Sequence, residues 1–129
     1  MGDTGAQLWV GTGTEMIEFF PALPYVELSE SKPSVCQVDG MSVLLALDLQ
    51  GQVHAFENNC PHADKPLQAG RWTAATLEIL CPFHKAVFDV GNGGQVKSGP
   101  ACVPIQVFAT EVRDYQGQRF VFVGLDNSD

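Results

Sequence analysis

Val53-His54-Ala55-Phe56-Glu57-Asn58-Asn59-Cys60-Pro61-His62-Ala63 and, further on, Leu80-Cys81-Pro82-Phe83-His84-Lys85-Ala86-Val87-Phe88-Asp89 each set a cysteine close to a histidine. The first pair is Cys60-x-His62 and the second Cys81-x2-His84, with 18 residues between His62 and Cys81. Each segment offers one soft thiolate and one imidazole, a mixed donor set that suits iron–sulfur chemistry or zinc. Structural zinc sites more often group like with like, Cys-x2–4-Cys with His-x3–5-His. Pro61 and Pro82 stiffen the two segments and leave fewer N–H groups needing partners.

The flanks of these loops read as β. Met41 to Leu49 is rich in Val and Leu, Gln50-Gly51 supplies a turn, and Gln52 to Glu57 alternates through Val53 and Phe56, which together predict a hairpin. Ser34 to Val38 enters it through Asp39-Gly40, a favoured turn pair. Val107 to Asp114 and Arg119 to Val123 flank Tyr115-Gln116-Gly117-Gln118 as a further hairpin, and Thr76 to Leu80 is a short strand leading into Cys81. Helical signal is poor: Ala63 to Gly70 has room for one turn, limited by Pro66. Gly13 and Pro21 to Pro24 are expected to break the N-terminal third, and Thr14 to Phe20 reads equally as strand or loop. Gly91 to Pro100 reads as a third loop, and Asp126 to Asp129 as a frayed tail.

A length of 129 residues and 45% hydrophobic content predict one globular domain over residues 1–129. A net charge of −8 argues against nucleic acid, which calls for clustered Lys and Arg. The longest apolar run, around Val43 to Leu49, is far short of the roughly 20 residues that span a bilayer. Met1 to Ala6 has neither a basic nor an apolar leader region, and Ala6 stands where a myristoylation motif needs Ser or Thr. A reducing, cytoplasmic location is the expectation, and there four cysteines favour metal over disulfides.

The sequence resembles the Rieske ferredoxin family that serves bacterial aromatic-ring oxygenases. The resemblance rests on Cys60-Pro61-His62-Ala63, Pro66-Leu67, Gly70, Cys81-Pro82-x-His84 and Phe88-Asp89, with Gly99-Pro100-Ala101-Cys102-Val103-Pro104 to Phe108 further on. It covers roughly residues 34 to 124. The gap of 18 is slightly longer than is usual in the family, and Asn92-Gly93-Gly94 enlarges the third loop. The resemblance implies an all-β fold of stacked antiparallel sheets, with a small cluster-binding subdomain at about 58–102. It implies one [2Fe–2S] cluster, with Cys60 and Cys81 on one iron and His62 and His84 on the other. Irons so coordinated leave no open position for substrate, and no nucleophile–base pair stands elsewhere, so the chain reads as a carrier and not an enzyme. The implied partners are a flavin-dependent NAD(P)H reductase and a terminal oxygenase, either a ring-hydroxylating dioxygenase or a diiron monooxygenase. The free carrier is expected to be a monomer.

High-potential Rieske proteins carry two further cysteines that join the loops, at the positions of Lys65 and Phe83 here, and a Ser and a Tyr where this chain has Ala86 and Phe88. The match is to the low-potential branch. His84-Lys85-Ala86-Val87-Phe88-Asp89 is also similar to the small subunit of assimilatory nitrite reductase, which is the alternative, and a zinc-stapled interaction module is a third reading. His54 is expected to be structural, Cys36 core, Cys102 a packed thiol, and Trp9 and Trp72 packing residues.

Overall fold

The computed structural model describes residues 9–12, 15–61, 65–82, 85–98 and 103–126. Its strands are β1 (Trp9–Thr12), β2 (Glu15–Pro24), β3 (Ser34–Val38), β4 (Met41–Leu47), β5 (Val53–Glu57), β6 (Arg71–Thr73), β7 (Glu78–Leu80), β8 (Val87–Asp89), β9 (Gln95–Ser98), β10 (Val107–Tyr115) and β11 (Gln118–Asp126). Single turns of 3-10 helix cover Tyr25–Glu27 and Val90–Asn92. Among the described residues the strands form two antiparallel sheets, ordered β1-β2-β11-β10-β5-β4-β3 and β6-β7-β8-β9. The all-β expectation is borne out, and the smaller sheet is inserted in the chain between β5 and β10. No helix among the described residues is long and apolar enough to cross a membrane.

β4 explains why its sequence reads as an unbroken apolar run. Leu44 and Ala46 face one core with Phe56, Leu67, Trp72, Ile79, Phe88, Cys60 and Cys81. Val43 and Leu45 face a second core with Cys36, Val38, Ala55, Val121 and Val123. Alternate side chains of a strand point to opposite faces, so a strand walled on both sides has no polar face to show. β4 is thus the partition between the base of the molecule and the layer that holds the two cysteine loops. Trp72 fastens the smaller sheet to this partition. Its indole N–H donates to the Leu47 carbonyl (2.9 Å), and its ring stacks on Phe56 at 5.7 Å between centroids.

The hairpins form where the sequence places them, with shifted ends. Asp39 and Gly40 have φ of 50° and 83°, and Gln116 and Gly117 have 54° and 83°. Positive φ at both central residues is the two-residue turn that matches strand twist. The expected four-residue turn Tyr115 to Gln118 is therefore only Gln116-Gly117, and its neighbours extend the strands. The first strand of the central hairpin ends at Leu47, not Leu49, because the Asp48 carboxylate accepts the N–H groups of Gln50 and Gln52 and folds the chain back.

Four expectations are corrected. β2 runs through Pro21 to Pro24, with Pro21 opposite Phe122 and Pro24 opposite Phe120 of β11. A bulge between Val121 and Phe122 absorbs the irregularity. Thr76 and Leu77 belong to a turn, with Leu77 at φ 60°, and β7 starts at Glu78. The loop from Gly91 contains β9. Lys65 to Gly70 hold no helix, since Lys65 is bridged to Cys60.

Candidate metal centre

The two cysteine loops close in the same way. Cys60 N–H donates to the Lys65 carbonyl (2.7 Å), and Cys81 N–H donates to the Ala86 carbonyl (2.8 Å). In each case the cysteine opens a tight loop and the acceptor lies five residues on. Lys85 completes the second loop by donating its N–H to the Cys81 carbonyl (2.9 Å), and it adopts a left-handed φ of 58°. β5 delivers the first cysteine and β7 the second. Both are fully buried, and both belong to the core that includes Leu67, Ile79, Ala86 and Phe88.

A third segment reaches the same apolar layer through the buried Ile105. Ile105 N–H donates to the Gly94 carbonyl (3.0 Å). Gly94 has φ of 77°, and a Cβ there would lie 2.1 Å from the Ile105 carbonyl oxygen. Only glycine permits that approach.

The donor chemistry fits an iron–sulfur centre. Two thiols are brought into one apolar layer from separate loops, each with its backbone N–H already satisfied, so the sulfurs are the remaining soft donors there. His62 and His84 lie outside the described residues, as do Phe83 and Cys102. Among the described residues no group of three or more His, Cys, Asp or Glu could hold a metal ion. Cys36 sits on β3 in the other core, where burial pushes its thiol up to about 11. A thiol so raised stays protonated near neutral pH and is a poor metal ligand.

The Rieske [2Fe-2S] domain family matches residues 18–109. The chain belongs to that family. Its cofactor is accordingly a Rieske-type [2Fe–2S] cluster. Over 74 residues the chain is 32% identical to the ferredoxin component of biphenyl 2,3-dioxygenase from Rhodococcus jostii (strain RHA1), covering 57% of this chain and 66%, just under two thirds, of that one. The ferredoxin of carbazole 1,9a-dioxygenase from Nocardioides aromaticivorans IC177 shares the fold with a TM-score of 0.69 at 29% identity, over 80% of this chain and 95% of that one. A chain from a complex of reduced oxygenase and oxidized ferredoxin in carbazole 1,9a-dioxygenase matches with a TM-score of 0.64 at 25% identity, over 79% and 99%. The resemblance to Rieske ferredoxins of dioxygenase systems is borne out, and the nitrite reductase alternative is not favoured.

Two features near the centre escape a reading of motifs. One is Asn58, whose side chain holds the first loop. The other is a set formed by Asp48, His54 and Trp72. His54 Nε2 lies 3.0 Å from Asp48 Oδ2, and its ring stands 6.1 Å from that of Trp72. His54 is structural, as its place in an alternating strand suggests. At Asp48 partial burial acts to raise the carboxyl pKa. The bonds from His54 and from the Gln52 and Gln50 amides outweigh it, and the group is held below the ordinary value of 3.8. A carboxylate with a lowered folded pKa contributes stability in full above the ordinary value, and that contribution is lost as the pH falls through the folded value. Asp48→Asn is therefore expected to lower the thermal midpoint at pH near 7. The gap to the parent should narrow on acidification below about pH 4, as thermal melts across that range would register.

Proposed function

We propose that this chain is a soluble single-electron carrier, taking electrons from an NAD(P)H-dependent flavin reductase and passing them to a terminal oxygenase. That oxygenase is a ring-hydroxylating dioxygenase or a diiron monooxygenase. The observation that carries the proposal is the pair of alike loops that bury Cys60 and Cys81 in one apolar layer. Cys60 and Cys81 hold one iron, and His62 and His84 hold the other. When bound, the [2Fe–2S] cluster supplies one-electron redox capacity. The chain supplies the rest. Leu67, Ile79 and Phe88 exclude water from the thiolates, the Cys60–Lys65 and Cys81–Ala86 bonds fix the loops, and Trp72 locks that assembly to the base. Residues 1–129 act as one domain, with about 58–102 as the cluster-binding subdomain, in a monomeric carrier of the cytoplasm. The related ferredoxin components and the oxygenase–ferredoxin complex support this reading.

Charge layout supports docking at the cluster end. Residues 60 to 102 hold four basic and three acidic groups, net +1, against −9 for the remainder. Within the subdomain Glu78 and Lys97 form an exposed ion pair. Lys85 and Pro82 are exposed beside the second loop. A partner approaching this end meets apolar contact and a positive orienting charge, while the acidic body disfavours other poses. Lys85→Glu is expected to slow electron transfer to a partner oxygenase by roughly tenfold at low ionic strength. Lys32→Glu, also an exposed lysine but in the base, should change it little. Stopped-flow reduction of the oxygenase by each reduced variant is the test. Equal effects would remove the docking assignment.

A further inference from the structure

We infer that Asn58 is a positioning residue for the cluster: its carboxamide replaces the backbone at one rung of the Cys60 loop and ties that loop to the base sheet. The inference deepens the reading above and rests on it.

The last backbone bonds of β5 run to both sides. Glu57 N–H donates to the Gln106 carbonyl (2.9 Å), and Asn58 N–H donates to the Ser42 carbonyl on β4 (3.1 Å). Two residues on, Cys60 pairs with Lys65 across an antiparallel bridge. Hydrogen-bonded rungs of an antiparallel pair recur every second residue, so the next rung outward joins Asn58 to Leu67. The Asn58 N–H is committed to Ser42, which holds the backbone of Asn58 against β4. The Leu67 N–H is met by the Asn58 side chain, whose Oδ1 accepts it at 2.9 Å in the role a backbone carbonyl would fill at that rung. Leu67 N–H can only donate, which fixes the oxygen end of the carboxamide. Both amide hydrogens then face acceptors, Ser42 Oγ at 3.1 Å and Gln68 Oε1 at 3.0 Å.

The consequence is a three-way tie. Leu67 is fully buried beside Cys60 and Cys81. One carboxamide therefore links β4, the buried anchor of the loop and the chain entering Cys60. An alanine there would leave the Leu67 N–H without its acceptor in a dry environment. The loop would then be held at its base by the Cys60–Lys65 rung, and the Cys60 thiol would no longer have a fixed direction.

Holo protein carrying Asn58→Ala, Asn58→Asp or Ser42→Ala tests this. Aspartate keeps an oxygen toward Leu67, and the Ser42 hydroxyl and the Gln68 amide can turn to donate to the second oxygen. Asn58→Ala is expected to lose its visible chromophore to an iron chelator roughly 10- to 100-fold faster than the parent. Its electron paramagnetic resonance lines in the reduced state should broaden as the ligand loop samples several positions. Ser42→Ala, which spares the Leu67 bond, should fall between, and Asn58→Asp should stay near the parent. Leu28→Ala, in the opposite core, controls for general destabilisation: at a matched thermal midpoint it should keep the parental rate and line shape. If Asn58→Ala does not fold, Ser42→Ala and Asn58→Asp decide. Parental rates in both Asn58→Ala and Ser42→Ala, or an Asn58→Asp as defective as Asn58→Ala, would overturn the inference. Cys60→Ala separates the two levels. A normal cluster in it removes the ligand reading itself, whereas a colourless Cys60→Ala beside parental Asn58 variants removes only the role of Asn58.

Discussion

Cys60→Ala and Cys81→Ala are each expected to purify as colourless protein, with iron falling from about two atoms per chain to near zero. Each substitution takes one of the two thiolates proposed for the same iron, and among the described residues no other thiol lies in that layer. The two loops enter from different strands, so neither can slide a new donor into place without breaking its own closing bond, Cys60 to Lys65 or Cys81 to Ala86. The remaining described cysteine, Cys36, is walled off by β4 in the other core and held protonated by burial. Cys36→Ala should accordingly keep full iron and the parental spectrum, and His54→Ala should do the same, since that ring is engaged with Asp48. His62→Ala and His84→Ala should behave like the cysteine variants. Iron and acid-labile sulfide assays with visible spectra check the whole series. A normal spectrum in Cys81→Ala would sink the ligand assignment, and a colourless parent containing zinc would restore the zinc-stapled reading.

How much of this was legible in the sequence depends on how local the signal is. Alternation and turn pairs are local, so β3, β4 and β5 and the final hairpin stand almost where the residues predict. Their ends moved where a side chain intervened, as when Asp48 captured two amides and shortened β4. The three-residue strands β6 and β8 carry too few positions for a period to show, and they exist because the small sheet pairs them. β2 was hidden by its prolines, and through them it shows only in its pairing with β11. At the site, ligand types and spacing are written in the chain, and so is the mixed donor set. The equal closure of the two loops is not, because it depends on backbone geometry at Lys65 and Ala86. Asn58 looks like any loop asparagine until the register of Cys60 with Lys65 shows which rung it fills.

A reduction potential near the bottom of the Rieske range, on the order of −150 mV within about −150 to +300 mV, is the second expected result. Reduction adds negative charge to the cluster, so donors aimed at its sulfurs raise the potential and dry apolar walls lower it. High-potential relatives place hydroxyls where this chain has Ala86 and Phe88, and both of these residues are fully buried in the layer with Cys60 and Cys81. The positions of the loop-joining cysteines hold Lys65 and Phe83. The chain's net charge of −8 acts in the same direction, reduced by solvent and salt. Ala86→Ser combined with Phe88→Tyr should raise the potential by on the order of 100 mV, a fraction of the family span. The design carries an internal control. A tyrosine hydroxyl at position 88 enters a fully buried site and needs an acceptor there. If it reaches a cluster sulfur, the potential rises and stability is kept. If it does not, the unsatisfied hydroxyl costs about 1–3 kcal/mol and the potential stays put. Protein-film voltammetry with thermal melts on the same samples distinguishes the two. A parental potential well above zero at neutral pH would contradict the low-potential assignment, and with it the driving force from a flavin reductase toward an oxygenase.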